Sequence, residues 1–431
     1  MYTIVPFLTF LILFGLIIKK GFLYAIIHPI TYISLLHNFY FSFYSSSNPY
    51  LLEIQVMTAL GVFTYFSLFL MMAFGRSDRL FPALVGWSKK MEKDNIDNRF
   101  PKAIFVLYFL LLFVFSTALN SYIYGGVLPS ISRFYTLLPV NEVPTMLTTM
   151  DKTFIKLAFV VSFVLFLGRE YGRVGIFTIF VCLLLYLLTV FPIGSRGNLL
   201  SIVMALFFAK VVHVLKTGSR FKLDVISSVF VFVIISLSIV QYNVRSYNFN
   251  SDSSSIGEVF DAIVLNYSGE NVEKRDITIM EEHLTKVVIR YGKEKDFLLG
   301  HTFYSIFSNI IPRSFWNEKP VGVGRILAYD DGAPPETNIS FAVSYFGEGW
   351  VNSSWWGVVY FSAFFGALTG IFSRLGMYYF QSNDVAYVLL GFVYIYSASM
   401  FVRGDMLSAW GQVIYPLVLV NIIIYMYKKL F

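Results

Sequence analysis

The feature that most constrains this chain is the succession of long apolar runs along it. Runs of ~17–22 residues with few charges recur from one end to the other, and each is long enough to cross the ~30 Å hydrocarbon core of a bilayer as a helix. This pattern predicts an all-α polytopic membrane protein with about eleven transmembrane helices. The predicted spans are residues 2–18, 21–44, 51–74, 103–119, 153–168, 175–193, 199–215, 224–241, 354–373, 385–401 and 408–427.

Composition agrees with this class. The chain is 57% hydrophobic and only 14% charged, whereas about a quarter of the residues in a soluble domain are charged. A net charge of +7 in a soluble protein would suggest a nucleic-acid partner. Here most basic residues fall in short loops on one predicted side, which is how insertion is oriented, so the expected partner is the bilayer and not nucleic acid.

The basic loops predict the orientation of the chain. If Lys428 and Lys429 are cytoplasmic, alternation places the basic short loops inside and residues 242–353 outside. The first apolar run is followed by Lys19 and not preceded by a basic residue, the reverse of a cleaved signal peptide, so this run is expected to remain as a span. The prediction is a multi-pass bacterial inner-membrane protein with a periplasmic N-terminus and a cytoplasmic C-terminus. Its three parts are a bundle of spans over residues 1–241, a periplasmic loop over 242–353, and further spans over 354–431.

Few cofactor chemistries suit this sequence. Cys182 is the only cysteine and lies within an apolar run, so neither an intrachain disulfide nor a thiolate metal site is expected. No histidine or carboxylate spacing typical of a metal site stands out, and the expectation is no metal and no cofactor.

Two stretches of the long loop have helical periodicity. Residues 256–267 form one apolar stripe, and residues 280–291 form another, with Asp276 as a candidate N-cap. The second stretch also places His283, Lys286 and Arg290 on one polar face. A solvated face paired with Glu282 is the plainer interpretation of that pattern.

Arginines stand where the chain should emerge on the outside. Positive charge is disfavoured there during insertion, so these residues oppose the bias that orients the protein. A guanidinium binds two phosphate oxygens at once and stays charged, which suits a lipid-linked phosphate or pyrophosphate. Pairing with lipid phosphates, or with a carboxylate such as Asp405, is the alternative. The candidates for this substrate-binding role are Arg196, Arg245, Arg313 and Arg403, with Arg290 as a fifth.

At this point the sequence resembles the Wzy-type O-antigen and oligosaccharide repeat-unit polymerases. In that family a long periplasmic loop carries a glycine, a Pro-Arg-x-x-Trp and a Lys-Pro, followed by a Gly-Glu with later Asn and Gly. A Gly-Ser/Thr-Arg-x-Asn turn precedes one span. The matching residues here are Gly300-His301-Thr302, Ile311-Pro312-Arg313-Ser314-Phe315-Trp316, Lys319-Pro320, Gly347-Glu348, Asn352, Gly357 and Gly194-Ser195-Arg196-x-Asn198. Ser353-Ser354-Trp355-Trp356 replaces the usual Phe-Gly between Asn352 and Gly357.

The resemblance implies a membrane glycosyltransferase of GT-C-like architecture. It would transfer a growing polysaccharide from its undecaprenyl-pyrophosphate carrier onto a new lipid-linked repeat unit at the periplasmic face. Its partners would be undecaprenyl-pyrophosphate-linked oligosaccharides, with a chain-length regulator protein as a further candidate. The acceptor hydroxyl needs a general base, for which Glu348 is the first candidate and His301 the second. The other outside candidates for this base are Asp330, Asp331, Glu336 and Asp405.

Two other functions stay open. A ligase that moves finished polysaccharide onto lipid A would have similar topology and the same leaving group. A flippase of the lipid-linked unit would place polar groups near the bilayer midplane on interrupted helices.

Overall fold

The computed structural model describes residues 4–20, 28–41, 48–75, 172–189, 276–308, 320–333, 340–380 and 390–395, together with Trp316, Glu318 and isolated positions within 110–236 and 402–425. Across these residues the chain forms helices and turns without a strand, which confirms the prediction of a helical chain over the described part. The helices are α1 Ile4–Lys20, α2 Pro29–Phe41, α3 Leu51–Phe74, α4 Gly172–Thr189, α5 Asp276–Arg290, α6 His301–Ser308, α7 Val323–Asp330 and α8 Ser344–Phe380.

Two of these helices are long and apolar enough to cross a bilayer. They are α3, with 24 residues, and the Ser344–Tyr379 part of α8. The bounds of α3 coincide with the predicted span 51–74. Helix α8 begins at Ser344, well before the span predicted from residue 354, because a further helical segment precedes the apolar run.

The chain divides into two compact units. One combines Met1–Phe100 with Asp276–Phe431, and the other is Pro101–Arg275. In the second unit α4 carries Cys182, a buried free thiol whose Sγ lies 3.8 Å from the Oγ of Ser162. The candidate-site residues that the structure describes all lie in the first unit.

Within the first unit, α3 and α8 pack side by side in the same direction. A Cβ added to Gly370 would lie 2.7 Å from the carbonyl oxygen of Phe69, and one added to Gly366 would overlap the carbonyl of Tyr65, so the two backbones touch at both glycines. Glycines four apart allow this close approach of helices in lipid. Further along, the Nη1 of Arg374 donates to the carbonyl oxygen of Gly75 over 2.8 Å and caps the end of α3.

Helix α8 is broken at Ser353 and Ser354. Ser353 has φ −164° and ψ 43°, and Ser354 has φ 52° and ψ −137°, so neither is helical. Gly349 and Gly357 would lie about 12 Å apart in a straight helix, but here their backbones are in contact. The rings of Tyr345 and Phe365 also meet, with centroids 6.1 Å apart. Residues 344–352, the half-helix, therefore fold back antiparallel against residues 355–380, the long segment.

Helix α5 packs beside the half-helix. The predicted apolar stripe is confirmed, because Met280, Leu284, Val287, Val288 and Tyr291 are all buried. A Cβ added to Gly347 would lie 2.9 Å from a methyl group of Leu284, so α5 meets the half-helix at this glycine. The stripe predicted over residues 256–267 lies outside the described residues.

Candidate functional site

The first turn of the half-helix is held by two long-range hydrogen bonds. The Oγ of Ser344 donates to the carbonyl oxygen of Val402 over 2.7 Å. The hydroxyl of Tyr345 lies 2.8 Å from the Nε2 of His37 on α2, and the Nδ1 of His37 lies 2.7 Å from the carbonyl oxygen of Ile33. A carbonyl only accepts, so Nδ1 carries the proton, and in the neutral imidazole Nε2 accepts from the tyrosine. Tyr65 of α3 stacks on Tyr345 at 4.9 Å between centroids, and both rings are buried.

The last turn of the half-helix is held by the segment that leads into α6. The backbone N–H groups of Leu298 and Leu299 donate to the carbonyl oxygens of Val351 and Asn352, each over 3.0 Å. These carbonyls belong to the group that a helix leaves unpaired at its C-terminus. Residues 298–299 therefore cap the C-terminal end of the half-helix, although they belong to another part of the chain.

The side chain of Asn352 connects the two segments that carry the family resemblance. Its Oδ1 accepts from the N–H of Gly300 over 2.9 Å, and its Nδ2 donates to the Oγ1 of Thr302 over 2.9 Å. The same Nδ2 donates to the carbonyl oxygen of Glu348 over 2.8 Å. Gly300 has φ 89°, a conformation that only glycine adopts readily, and the reversal there brings Thr302 onto Asn352.

Glu348 lies on the buried side of this assembly. Its relative exposure is 0%, and it is the only carboxylate of the half-helix. At 100° per residue its Cα–Cβ direction is within about 40° of those of Ser344 and Asn352. Glu348 thus lies on the same face of the half-helix as Ser344, which bonds to Val402, and Asn352. Asn352 in turn bonds to residues 300 and 302. That face is where a carboxylate could act on a group brought between these segments.

His301, the second candidate base, is exposed and points away from that face. Its neighbours Gly300 and Thr302 bind Asn352, whereas its own ring lies 6.3 Å from the ring of Tyr304, which is also exposed. The structure therefore brings the peptide of His301 to the half-helix and leaves the imidazole on the outer surface.

Arg290 takes part in an ionic contact between α5 and α7. Its Nη2 donates to the Oδ1 of Asp331, and the Nζ of Lys286 donates to the Oδ2 of the same carboxylate over 2.5 Å. Burial by itself would raise the pKa of Asp331, but the hydrogen bonds from these two cations lower it below its ordinary value. Lys295 pairs likewise with Asp330 over 2.6 Å. The Nη1 of Arg290 is buried and has no hydrogen-bond partner among the described residues, so one end of this guanidinium is not used by Asp331.

His283, on the same face of α5, is buried and not solvated. Its ring stacks on Phe341 at 4.3 Å between centroids, and its Nδ1–H donates to the carbonyl oxygen of Ala342 over 3.1 Å. Desolvation lowers the pKa of His283, more than its hydrogen bond raises it. The neutral ring therefore attaches α5 to the chain that enters the half-helix.

The remaining predicted residues lie outside the described part of the chain. The structure describes Val402, which is buried, and Arg403 is the next residue in the sequence. The residues outside the described part are Arg196, Arg245, Arg313, Arg403, Glu336 and Asp405.

His37 and Tyr345 belong to no pattern in the sequence, and Asn352 appears there only as a member of the family motif. His37 and Tyr345 are 308 residues apart, so no local pattern could have paired them. For Asn352, its place between a Gly-Glu and a span was the available signal. Among the residues that the structure describes, no three His, Cys, Asp or Glu side chains are grouped as a metal ion would require.

Comparison of the chain with models of known protein families, with curated proteins and with solved structures gave no match.

Proposed function

We propose that this protein polymerises undecaprenyl-pyrophosphate-linked oligosaccharide repeat units at the periplasmic face of a bacterial inner membrane. The observation that carries the proposal is the contact made by Asn352. It joins Gly300 and Thr302 to the half-helix that holds Glu348. These two segments are the described part of the resemblance to the Wzy-type polymerases, and they are 50 residues apart in sequence.

The course of the two apolar helices supports a site at one membrane face. Because α3 and the long segment run parallel, both begin on the same side of a bilayer and both end on the other. The capping bonds from Leu298 and Leu299 lie where the long segment begins, and Arg374 binds Gly75 toward the opposite end. In the proposal the former side is periplasmic, as the charge of the short loops predicts, and the protein crosses the membrane about eleven times.

The proposed chemistry is transfer of the growing chain from its lipid pyrophosphate to a hydroxyl of the incoming unit. Glu348 accepts the proton of that hydroxyl as the oxygen attacks the anomeric carbon, and the bond from that carbon to the pyrophosphate breaks. Arginines stabilise the departing pyrophosphate, since fixed cations need no reorganisation as charge develops. In this proposal Arg196, Arg245, Arg313 and Arg403 carry that role. Arg290 is the fifth candidate, with its Nη2 held by Asp331 and its Nη1 without a hydrogen-bond partner in the described part of the chain.

The test uses the purified full chain in nanodiscs supplied with lipid-pyrophosphate-linked repeat units. The wild type should give a ladder of products that differ by one unit. Glu348→Gln should lower turnover by ~10²–10⁴-fold, while Glu282→Gln, at an exposed glutamate of α5, should leave it unchanged. An unaltered ladder from Glu348→Gln transfers the role to His301 or Asp405. Transfer to lipid A core without a ladder identifies a ligase and contradicts polymerisation.

The break in α8 favours one second candidate. Discontinuous helices are typical of transporters, where freed backbone groups line a substrate site. A flippase of the lipid-linked unit would move a labelled unit across a liposome without lengthening it. Translocation without elongation would replace the polymerase proposal.

A further inference from the structure

A set of large apolar and aromatic side chains is exposed where α6 meets the start of the long segment. Leu299 is 83% exposed, Tyr304 66%, Trp356 70% and Tyr360 64%, and Trp355 is 38% exposed. The rings of Trp356 and Tyr360 stack with centroids 6.2 Å apart. Large apolar side chains grouped on a surface mark a site that is in contact with a membrane or with another protein.

Helix α6 is fixed beside the start of the long segment. Phe303 of α6 packs on Phe361 at 4.7 Å between centroids and on Phe364 at 6.2 Å, which fastens α6 across the long segment. On its inner side α6 buries Thr302, which is bonded to Asn352, and Ser305. Tyr304, which α6 turns outward, is exposed, as are Trp356 and Tyr360 near the start of the segment on which α6 packs.

The position of the surface along the long segment indicates what covers it. Trp355 and Trp356 are the first residues after the break, and the segment then continues as an apolar helix long enough to cross a bilayer. Tryptophan and tyrosine concentrate at the headgroup level of membranes, because their rings are apolar with one polar edge. Residues 298–308 contain no Asp, Glu, Lys or Arg, whereas residues 293–296 just before them are all charged. The boundary between water and lipid therefore falls between these two stretches.

We propose that Leu299, Tyr304, Trp355, Trp356 and Tyr360 form an interfacial shelf that lies in the boundary between lipid headgroups and acyl chains. Helix α6 then lies on the membrane and not in the aqueous space, and the bonds of Asn352 to Gly300 and Thr302 are formed at headgroup level. The occupant of the shelf is the bilayer itself. This inference depends on the contacts of α6 with α8 and not on the proposed polymerase activity.

The test measures the depth of single spin labels. The chain has one cysteine, so a Cys182→Ser background accepts a label at one chosen site. Labels replace Tyr304, Trp356 or Tyr360 in turn, with a label at Glu294, in the charged turn, as the water-exposed control. The protein is placed in nanodiscs of phosphatidylethanolamine and phosphatidylglycerol, and collisions with oxygen and with a water-soluble nickel chelate are measured by power saturation.

If these residues form the shelf, the nickel chelate should collide several-fold less often with labels at Tyr304 and Trp356 than with the label at Glu294. Oxygen should collide with the Tyr304 and Trp356 labels more often than with the Glu294 label. The Tyr360 label should lie about 6 Å deeper than the Trp356 label, since four helical residues separate them. Nickel accessibility at Tyr304 equal to that at Glu294 overturns the proposal. Broadening between labels that grows with the number of copies per disc also overturns it, because it identifies a second protein copy as the occupant. If a label at Tyr304 prevents folding, Leu299, whose side chain is almost fully exposed, is labelled instead.

Discussion

The side-chain amide of Asn352 donates a hydrogen bond to the hydroxyl of Thr302, with 2.9 Å between Nδ2 and Oγ1 and 50 residues of sequence between them. Both residues are buried, so neither partner can exchange this bond for water. The bond fastens α6 to the end of the half-helix.

Replacing Asn352 by Ala should lower the free energy of unfolding by about 2 kcal/mol or more, because buried polar groups on three partners lose a bond and each is costly to leave unpaired. Asn352→Asp keeps the acceptor for Gly300 but sets a buried carboxylate oxygen against the carbonyl oxygen of Glu348, and should destabilise the fold at least as much as Asn352→Ala. Thermal unfolding of the purified protein measures both effects. Ser67→Ala, which loses one exposed bond within α3, is the control, and an Asn352→Ala effect no larger than this control would contradict the prediction.

The turn between the half-helix and the long segment depends on the contact of Gly357 with Gly349. A methyl group at Gly357 would overlap the carbonyl oxygen of Gly349. Gly357→Ala should therefore destabilise the fold by about 1–3 kcal/mol through overpacking. Gly15→Ala on α1, where nothing lies within 4 Å of the added atom, should be neutral or slightly stabilising. Equal midpoints of unfolding for the two variants would show that the turn tolerates a side chain.

The hydrogen bond between Tyr345 and His37 predicts coupled effects of mutation. Tyr345→Phe and His37→Leu each remove it, so the double variant should be little worse than the more damaging single variant. His37→Gln keeps an acceptor for the tyrosine hydroxyl and should recover part of the loss. Hydrogen exchange of the peptide that covers residues 344–352 reports directly on this anchor. Additive effects of the two substitutions would show that the hydroxyl and the imidazole act separately.

The docking of α5 should weaken in mild acid. Desolvation lowers the pKa of His283 in the folded protein, so the unfolded chain binds a proton more readily. The contribution of His283 is then complete above its unfolded pKa of about 6.5 and is lost progressively as the pH falls below that value. Hydrogen exchange of residues 276–290, after correction for the pH dependence of the intrinsic amide exchange rate, should increase between pH 7.5 and pH 5.5 in the wild type. The increase should be absent in His283→Gln, and an identical increase in both proteins would assign the effect to another group.

Some of this structure follows from local pattern and some does not. Helix α3 was predictable to its ends, because a long apolar run between Tyr50 and Gly75 has no other stable form in a membrane. The buried stripe of α5 followed from its period of 3.6 residues. The half-helix was assigned to the loop, since Gly347-Glu348-Gly349 interrupts its apolar character and only its fit against α3, α5 and residues 298–299 makes it helical.

The contact between α8 and α3 could also have been predicted from the sequence. Gly366 and Gly370 stand four apart in an apolar run, a spacing typical of closely packed membrane helices, and these are the residues at which α8 touches α3. The pairing of Arg290 with Asp331 could not be predicted from the sequence, because the two residues are 41 positions apart and no periodic pattern connects them.

The contact between α3 and the long segment of α8 also imposes an order on biogenesis. Arg374 and Gly75 are 299 residues apart, so the ribosome completes α3 long before its partner exists. During that interval Gly61, Tyr65 and Phe69 have no α8 to contact, and Asn48 precedes its partner Glu281 by 233 residues. The nascent chain must therefore keep one face of α3 uncovered until about the last fifth of the sequence is made. A chain stopped before Ser344 would have α3 without the surface on which it packs, so Gly61, Tyr65 and Phe69 would stay uncovered.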